Sequence, residues 1–186
     1  MKDLKHIKTD KGDIWYGKII HKFEEDTLSK KQIERRTVDM ILAFINKDEV
    51  YEISRDSLGK PFFSNNPSLN VSISHSNAWY AIYLSKIDQI GIDIQTPKQK
   101  IIRGKDYFIN ADENILFDSL NNQEAHIIWC AKEAFYKFKG GKIDDLKEDV
   151  TICTIDLINK EGNLKYKDES FSFFIILEAA FYLASV

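Results

Sequence analysis

Glu133 and Lys137 lie four positions apart in Trp129-Cys130-Ala131-Lys132-Glu133-Ala134-Phe135-Tyr136-Lys137. On a helix that spacing puts both side chains on one face. Upstream, Asp93 sits inside Gly91-Ile92-Asp93-Ile94-Gln95, a short apolar run that reads as a strand, where a charge requires a partner or a metal. A carboxylate from a strand, a second from a helix and a lysine one turn on would form a site for a divalent cation and phosphates. The combination points to an enzyme.

Each residue also has a plainer explanation. Asp93 alone would be a strand-end aspartate facing water. Glu133 and Lys137 alone would be an exposed ion pair worth roughly 0.2–0.5 kcal/mol. Two observations weigh against this. Trp129, Phe135 and Phe138 predict a mostly buried helix, and two carboxylates brought together repel unless a cation separates them. Mg²⁺ takes such hard oxygen ligands together with water and substrate phosphate, which favours it over zinc. Lys132 points about 100° away from Glu133 by helix geometry, toward another phosphate or toward solvent.

Other polar residues are weaker signals. Ser74-His75-Ser76 stands at a hairpin tip, and no nucleophile elbow or acid accompanies it, so a hydrolytic dyad is not indicated. His75 is a candidate donor to an anion. Pro61 stiffens the loop that presents Lys60. Lys30, Lys31, Arg35 and Arg36 make a basic patch, ordinarily a solvated face, although an arginine fork suits phosphate. No glycine-rich phosphate loop, dinucleotide fingerprint or HExxH motif is present.

The elements that must carry these residues follow from capping and periodicity. Ser29 caps a helix that runs to about Asn46 and places Ile33, Met40, Ile41, Phe44 and Ile45 at helical spacing. Strand-like pieces follow at Val50–Ser54 and Lys60–Phe63, then Asn70–Ser74, where Val71 and Ile73 alternate with Ser72 and Ser74. A turn at His75-Ser76-Asn77 leads into Trp79–Leu84, making a hairpin. Asn121 with Glu124 forms a capping-box pattern for a second helix ending near Lys139, with Gly140-Gly141 as its stop. Strands are expected at Val150–Leu157, Leu164–Lys167, Ser170–Leu177 and Ala179–Ser185. A helix followed by antiparallel strands thus occurs twice. The expected fold is α+β, a pseudo-twofold duplication of two similar lobes, each a helix packed on an antiparallel sheet. The lobes would be residues 1–90 and 91–186, joined near Asp88 to Ile90, with the active site in the cleft between them.

Composition narrows the class. A chain of 186 residues with 44% hydrophobic and 12% aromatic content buries a sizeable core, roughly 70% of its unfolded surface, and is not disordered. A net charge of −3 supplies no global basic field, so no nucleic acid is expected as partner. Cys130 and Cys153 have no metal-ligand spacing, and Cys130 reads as a small buried thiol. With no disulfide scaffold and no signal peptide in the lysine-rich Met1 to Gly12, a cytoplasmic protein is expected. Phe171 to Val186 is apolar but too short and interrupted for a membrane span; two packed strands are expected there.

Taken jointly, Gly59-Lys60-Pro61, Asn70-Val71-Ser72-Ile73-Ser74-His75-Ser76, Gly91-Ile92-Asp93-Ile94-Gln95 and the tryptophan-to-lysine run at 129–137 resemble the 4'-phosphopantetheinyl transferases, in their two-lobed Sfp-type branch. The resemblance implies transfer of the 4'-phosphopantetheine group of coenzyme A to a serine hydroxyl of an apo acyl or peptidyl carrier protein, releasing adenosine 3',5'-bisphosphate (a holo-[acyl-carrier-protein] synthase activity). It implies Asp93, Gln95 and Glu133 as ligands of Mg²⁺, with Mn²⁺ as the alternative metal, and Lys137 as a pyrophosphate contact. Glu133, Lys137 and Asp93 would be the catalytic set. Arg36, or Arg35 one position away, together with Lys60, Pro61, Ser74 and His75, would hold coenzyme A, with His75 near the 3'-phosphate. The family's second strand acid is Gln95 here, which predicts weaker metal binding or a changed preference. The segment Thr96 to Leu120, with Arg103, Lys105, Tyr107, Phe108 and Phe117, is expected to meet the carrier. The protein would be a pseudodimeric monomer without membrane association. Two other readings are a non-catalytic coenzyme A or carrier-binding module with a decayed site, and a metal-dependent phosphohydrolase.

Overall fold

The computed structural model describes residues 3–20, 28–87, 89–98 and 100–186; Asp88, the first residue of the expected junction, lies outside them. The elements are β1 (Lys5–Lys8), β2 (Asp13–Lys18), α1 (Lys30–Ile45), β3 (Ile53–Arg55), β4 (Pro61–Phe63), β5 (Asn70–Ser76), β6 (Trp79–Ser85) and β7 (Ile92–Gln95). A 3-10 helix (Ile101–Tyr107), α2 (Ala111–Leu116), α3 (Asn122–Phe138), α4 (Leu146–Asp149), β8 (Val150–Asp156), β9 (Glu161–Tyr166), β10 (Glu169–Glu178) and β11 (Phe181–Ser185) follow among the described residues. One sheet has the order β1-β2-β6-β5, a second β7-β11-β10-β9-β8, and β3-β4 form a small ribbon. All pairings are antiparallel, and the fold is α+β. Among the described residues no helix is long and apolar enough to cross a membrane.

Local chemistry sets the boundaries of the two long helices. Ser29 and Gln32 form a reciprocal capping box at α1, and Asn121 and Glu124 form one at α3, each satisfying amide groups that a helix start leaves without partners. α1 buries Thr37, Val38, Ile41 and Leu42, while Met40 and Phe44 stay 42% exposed. Its buried stripe is therefore narrower than the apolar spacing predicts.

Strand alternation divides the interior into layers. On β6, Tyr80, Ile82 and Leu84 pack under α1, while Ala81 and Tyr83 face the other sheet. On β10, Phe173 and Ile175 pack under α3, whereas Ile176 joins Phe181 and Leu183 against the first sheet. Ile92 and Ile94 of β7 belong to this middle layer, so Asp93 and Gln95 face the opposite way. In each half a strand preceding the long helix pairs with the half's last strand, β2 with β6 and β7 with β11.

The sheets meet along β5 and β7 through serine side chains. The hydroxyls of Ser72, Ser74 and Ser76 accept the backbone N–H groups of Ile92, Ile94 and Thr96 at 3.1, 3.2 and 3.0 Å. Alternate serines on one strand thereby satisfy the edge of another.

Gly91 decides how close α3 comes to this seam. A Cβ there would lie 1.9 Å from the carbonyl oxygen of Ala134 and 2.7 Å from the amide nitrogen of Phe138. Backbone meets backbone, so neither side can yield cheaply. Gly91→Ala is expected to cost about 1–3 kcal/mol, as overpacking does, read from its chemical denaturation midpoint. A wild-type midpoint would show that α3 does not depend on this contact.

Candidate active site

α3 presents Glu133 and Lys137 to the outward face of β7. Asp93 is 2% exposed and accepts three hydrogen bonds. Ser74 Oγ and Lys137 Nζ each donate to Oδ1 at 2.7 Å, and Gln95 Nε2 donates to Oδ2 at 2.9 Å. Lys137 also donates to the carbonyl of Ile92 at 3.0 Å. Glu133 is half-buried; burial raises its pKa, the nearby Asp93 carboxylate raises it further, and Lys137 opposes both. Two acids 40 positions apart in the chain are thus brought within electrostatic reach of each other and of Lys137.

The neighbouring groove carries the cations. Its inner part is a pocket of about 140 Å³ lined by Lys60, Pro61, Ile73, Tyr136, Lys137 and Gly140, among others. Its outer part, about 730 Å³, reaches Lys31, Arg35 and His75; Arg55, Gly59 and Ile73 line both. The loop holding Lys60 is shaped by Asp56, whose carboxylate accepts the amides of Leu58 and Lys60 at 2.9 Å each. Gly59 there has φ +84°, a conformation that glycine adopts without strain. Arg55 is tied to the same turn by its 2.7 Å bond to the carbonyl of Gly59. His75 lies 3.5 Å from Glu34 and beside Tyr80. Glu34 and Asp39 are the acids that line this part of the groove.

Several expected residues are placed differently. Ser74 is buried, donates to Asp93, accepts the amide of Ile94 and lines neither part of the groove. Arg35 lines the groove and Arg36, its neighbour on α1, does not. Lys132 reaches neither phosphate nor solvent. It is fully buried and pairs with Glu113 at 2.9 Å, also donating to the carbonyl of Lys147 at 3.0 Å. Phe108 is 5% exposed and Phe117 partly buried, both packed in the core under α3. Arg55 was not singled out from the sequence; its place two residues after an apolar strand position and four before Gly59 is a faint signal that only the loop geometry makes meaningful.

A cation fits the site by its chemistry. Asp93, Glu133 and the amide oxygen of Gln95 are all hard oxygen donors, suited to Mg²⁺ or Mn²⁺. The mutual repulsion that raises the Glu133 pKa is what a bound cation relieves. Among the described residues no cluster of three or more His, Cys, Asp or Glu is arranged to hold a metal; the acids here number two, with Gln95 in the third place.

The model of the 4'-phosphopantetheinyl transferase superfamily matches residues 89–181, half of the chain. The chain belongs to this superfamily. The match begins just before Asp93 and includes Glu133 and Lys137, and it supports a transferase with a role in phosphopantetheine transfer. No curated protein matches this transferase.

Proposed function

We propose that the protein is an Sfp-type 4'-phosphopantetheinyl transferase that moves the phosphopantetheine arm of coenzyme A onto a serine of an apo acyl or peptidyl carrier protein. The observation that carries this reading is the meeting of Asp93, Glu133 and Lys137, the last of which also lines the inner part of a groove that reaches Lys60, Arg55, Arg35 and His75. Such a groove suits a ligand with a diphosphate at one end and a further phosphate at the other.

In the proposed reaction the carrier serine oxygen attacks the phosphorus on the pantetheine side of the diphosphate. The bond from that phosphorus to the bridging oxygen breaks, and adenosine 3',5'-bisphosphate leaves. Lys137 and Lys60 face the diphosphate and offset charge developing on the leaving oxygen. Glu133, with its raised proton affinity, takes the serine proton directly or through water. Arg35, Arg55 and His75 hold the nucleotide's far phosphate. Ser74 and Gln95 keep Asp93 oriented. Mg²⁺, held by Asp93, Glu133 and Gln95, would supply further neutralisation of the diphosphate.

The domain reading is part of the proposal: residues 1–90 and 91–186 are two related lobes, and one chain supplies both walls of the groove, so a monomer is complete. The free cysteines Cys130 and Cys153 agree with a reducing cytoplasm. The carrier is proposed to dock on the 3-10 helix and α2, where Tyr107 is 86%, Ile115 77% and Leu116 56% exposed, beside Arg103 and Lys105. Charge reversal at Arg103 and Lys105 is expected to raise the carrier KM about tenfold through lost attraction to an acidic partner; unchanged carrier kinetics would remove the segment from the docking surface.

The direct test combines purified protein, coenzyme A, Mg²⁺ and an apo carrier, read by intact mass. A phosphopantetheine adduct on the carrier is the expected result. Coenzyme A binding without an adduct, or nucleotide breakdown without a carrier, would overturn the reading.

A further inference from the structure

Lys139 is a cation that the transfer chemistry leaves unused, and its side chain is only 22% exposed. Its Nζ stands 4.5 Å from the ring centroid of Phe171, 5.3 Å from Tyr166, 5.4 Å from Phe135 and 5.5 Å from Phe138. Each distance lies within cation–π range. Glu169 sits at the rim, 4.0 Å away. Phe135 and Phe138 come from α3, Tyr166 from β9 and Phe171 from β10, and the rings pack on one another. One side chain therefore ties the end of α3 to the β9–β10 hairpin, with its positive charge at the end of the helix that favours it.

Immediately after Lys139 the chain forms a wall of the groove. Gly140 and Gly141 have φ +66° and +77°, and their amides donate back to Lys137 and Tyr136 at 2.9 and 3.0 Å. Neither residue has a side chain to anchor it. A Cβ on Gly140 would meet Lys60 Cδ at 3.5 Å, so the stem of Lys60 lies over this turn.

We infer that Lys139 is a positioning residue whose caged ammonium holds the Gly140–Gly141 turn, and through it Lys60, where the coenzyme A diphosphate binds. The inference rests on the transferase reading. It explains why a lysine at a helix end is surrounded by four rings when an exposed one would cap the helix equally well.

The test measures carrier modification with coenzyme A varied at saturating apo carrier, and coenzyme A binding by calorimetry without carrier. Lys139→Met keeps length and removes charge. It should raise the coenzyme A KM and Kd about tenfold as Lys60 loses its position, about 1.4 kcal/mol of binding, with kcat within about twofold. Lys139→Arg should bring both back to within about twofold of wild type. In a Lys60→Ala background, Lys139→Met should add little, since both act through one contact. Tyr166→Leu opens one wall of the cage with the charge retained and should shift KM in the same direction, which covers a Lys139→Met protein that does not fold. An unchanged coenzyme A Kd in folded Lys139→Met, a fall in kcat at constant KM, or an arginine variant as impaired as methionine would each overturn the inference. Wild-type protein that binds coenzyme A but modifies no carrier defeats the transferase reading alone, and the calorimetric comparison still decides Lys139. Wild-type protein that binds no coenzyme A defeats both.

Discussion

Glu133→Gln is expected to lower phosphopantetheine transfer by about 10³-fold, in the range of losing a general base or a principal electrostatic group, while the protein stays folded. The expectation of a retained fold comes from the side chain's surroundings. Glu133 accepts no side-chain hydrogen bond among the described residues, and its carboxylate is disfavoured by burial and by Asp93. Removing that charge relieves repulsion in the free protein. The variant should therefore match or exceed the wild-type denaturation midpoint while losing activity in the intact-mass assay. A folded Glu133→Gln enzyme with wild-type turnover would remove the residue from the mechanism. Asp93 does not permit so clean an experiment. Its alanine variant would leave Ser74, Lys137 and Gln95 with donors aimed at an empty place, so lost activity could reflect lost structure.

Lys132→Ala should destabilise the protein by about 3–5 kcal/mol, the cost of leaving one member of a buried ion pair alone. Glu113 and Lys132 are both fully buried. Burial raises the Glu113 pKa and lowers that of Lys132, and each partner's charge works against those shifts. Glu113 Oε1 also accepts the amide of Ile152 at 2.7 Å, and Oε2 that of Asn110 at 2.9 Å. The pair thus pins α2 and the start of β8 to the back of α3, behind the face that carries Glu133. The double variant Glu113→Leu/Lys132→Met removes both charges and should recover much of the loss. Urea denaturation of Glu113→Leu, Lys132→Met and the double variant measures the coupling. Purely additive effects would mean that the two groups do not stabilise each other.

Much of the local structure was readable because short-range chemistry governs it. The capping boxes at Ser29 and Asn121, the stop at Gly140-Gly141 and the alternation of Val71 and Ile73 all act within a few residues. The hairpin β1–β2 was missed although Ile14 and Tyr16 alternate toward the interior and Asp10-Lys11-Gly12 marks a turn. Lysines at Lys5 and Lys8 obscured an edge strand that has one exposed side. His126 was missed for a different reason. Its ring is buried against Tyr182, accepts the amide of Lys98 at 2.9 Å, and is held below the ordinary histidine pKa by burial. None of those partners lies within a helix turn of it except Asn122.

The sequence by itself determined the chemical inventory: two acids and a lysine on a strand and a helix, and the glycine that lets those elements touch. Residue type and periodicity settle which side chains share a face, because both are properties of a few consecutive residues. Only the tertiary structure decided which charge goes where. It turned Ser74 onto Asp93, buried Lys132 against Glu113, put Arg35 and Arg55 on the groove wall in place of Arg36, and enclosed Lys139 in aromatic rings. The reason is physical. Whether a polar group faces water, a ligand or a buried partner depends on desolvation by elements distant in the chain, and local spacing carries no record of them.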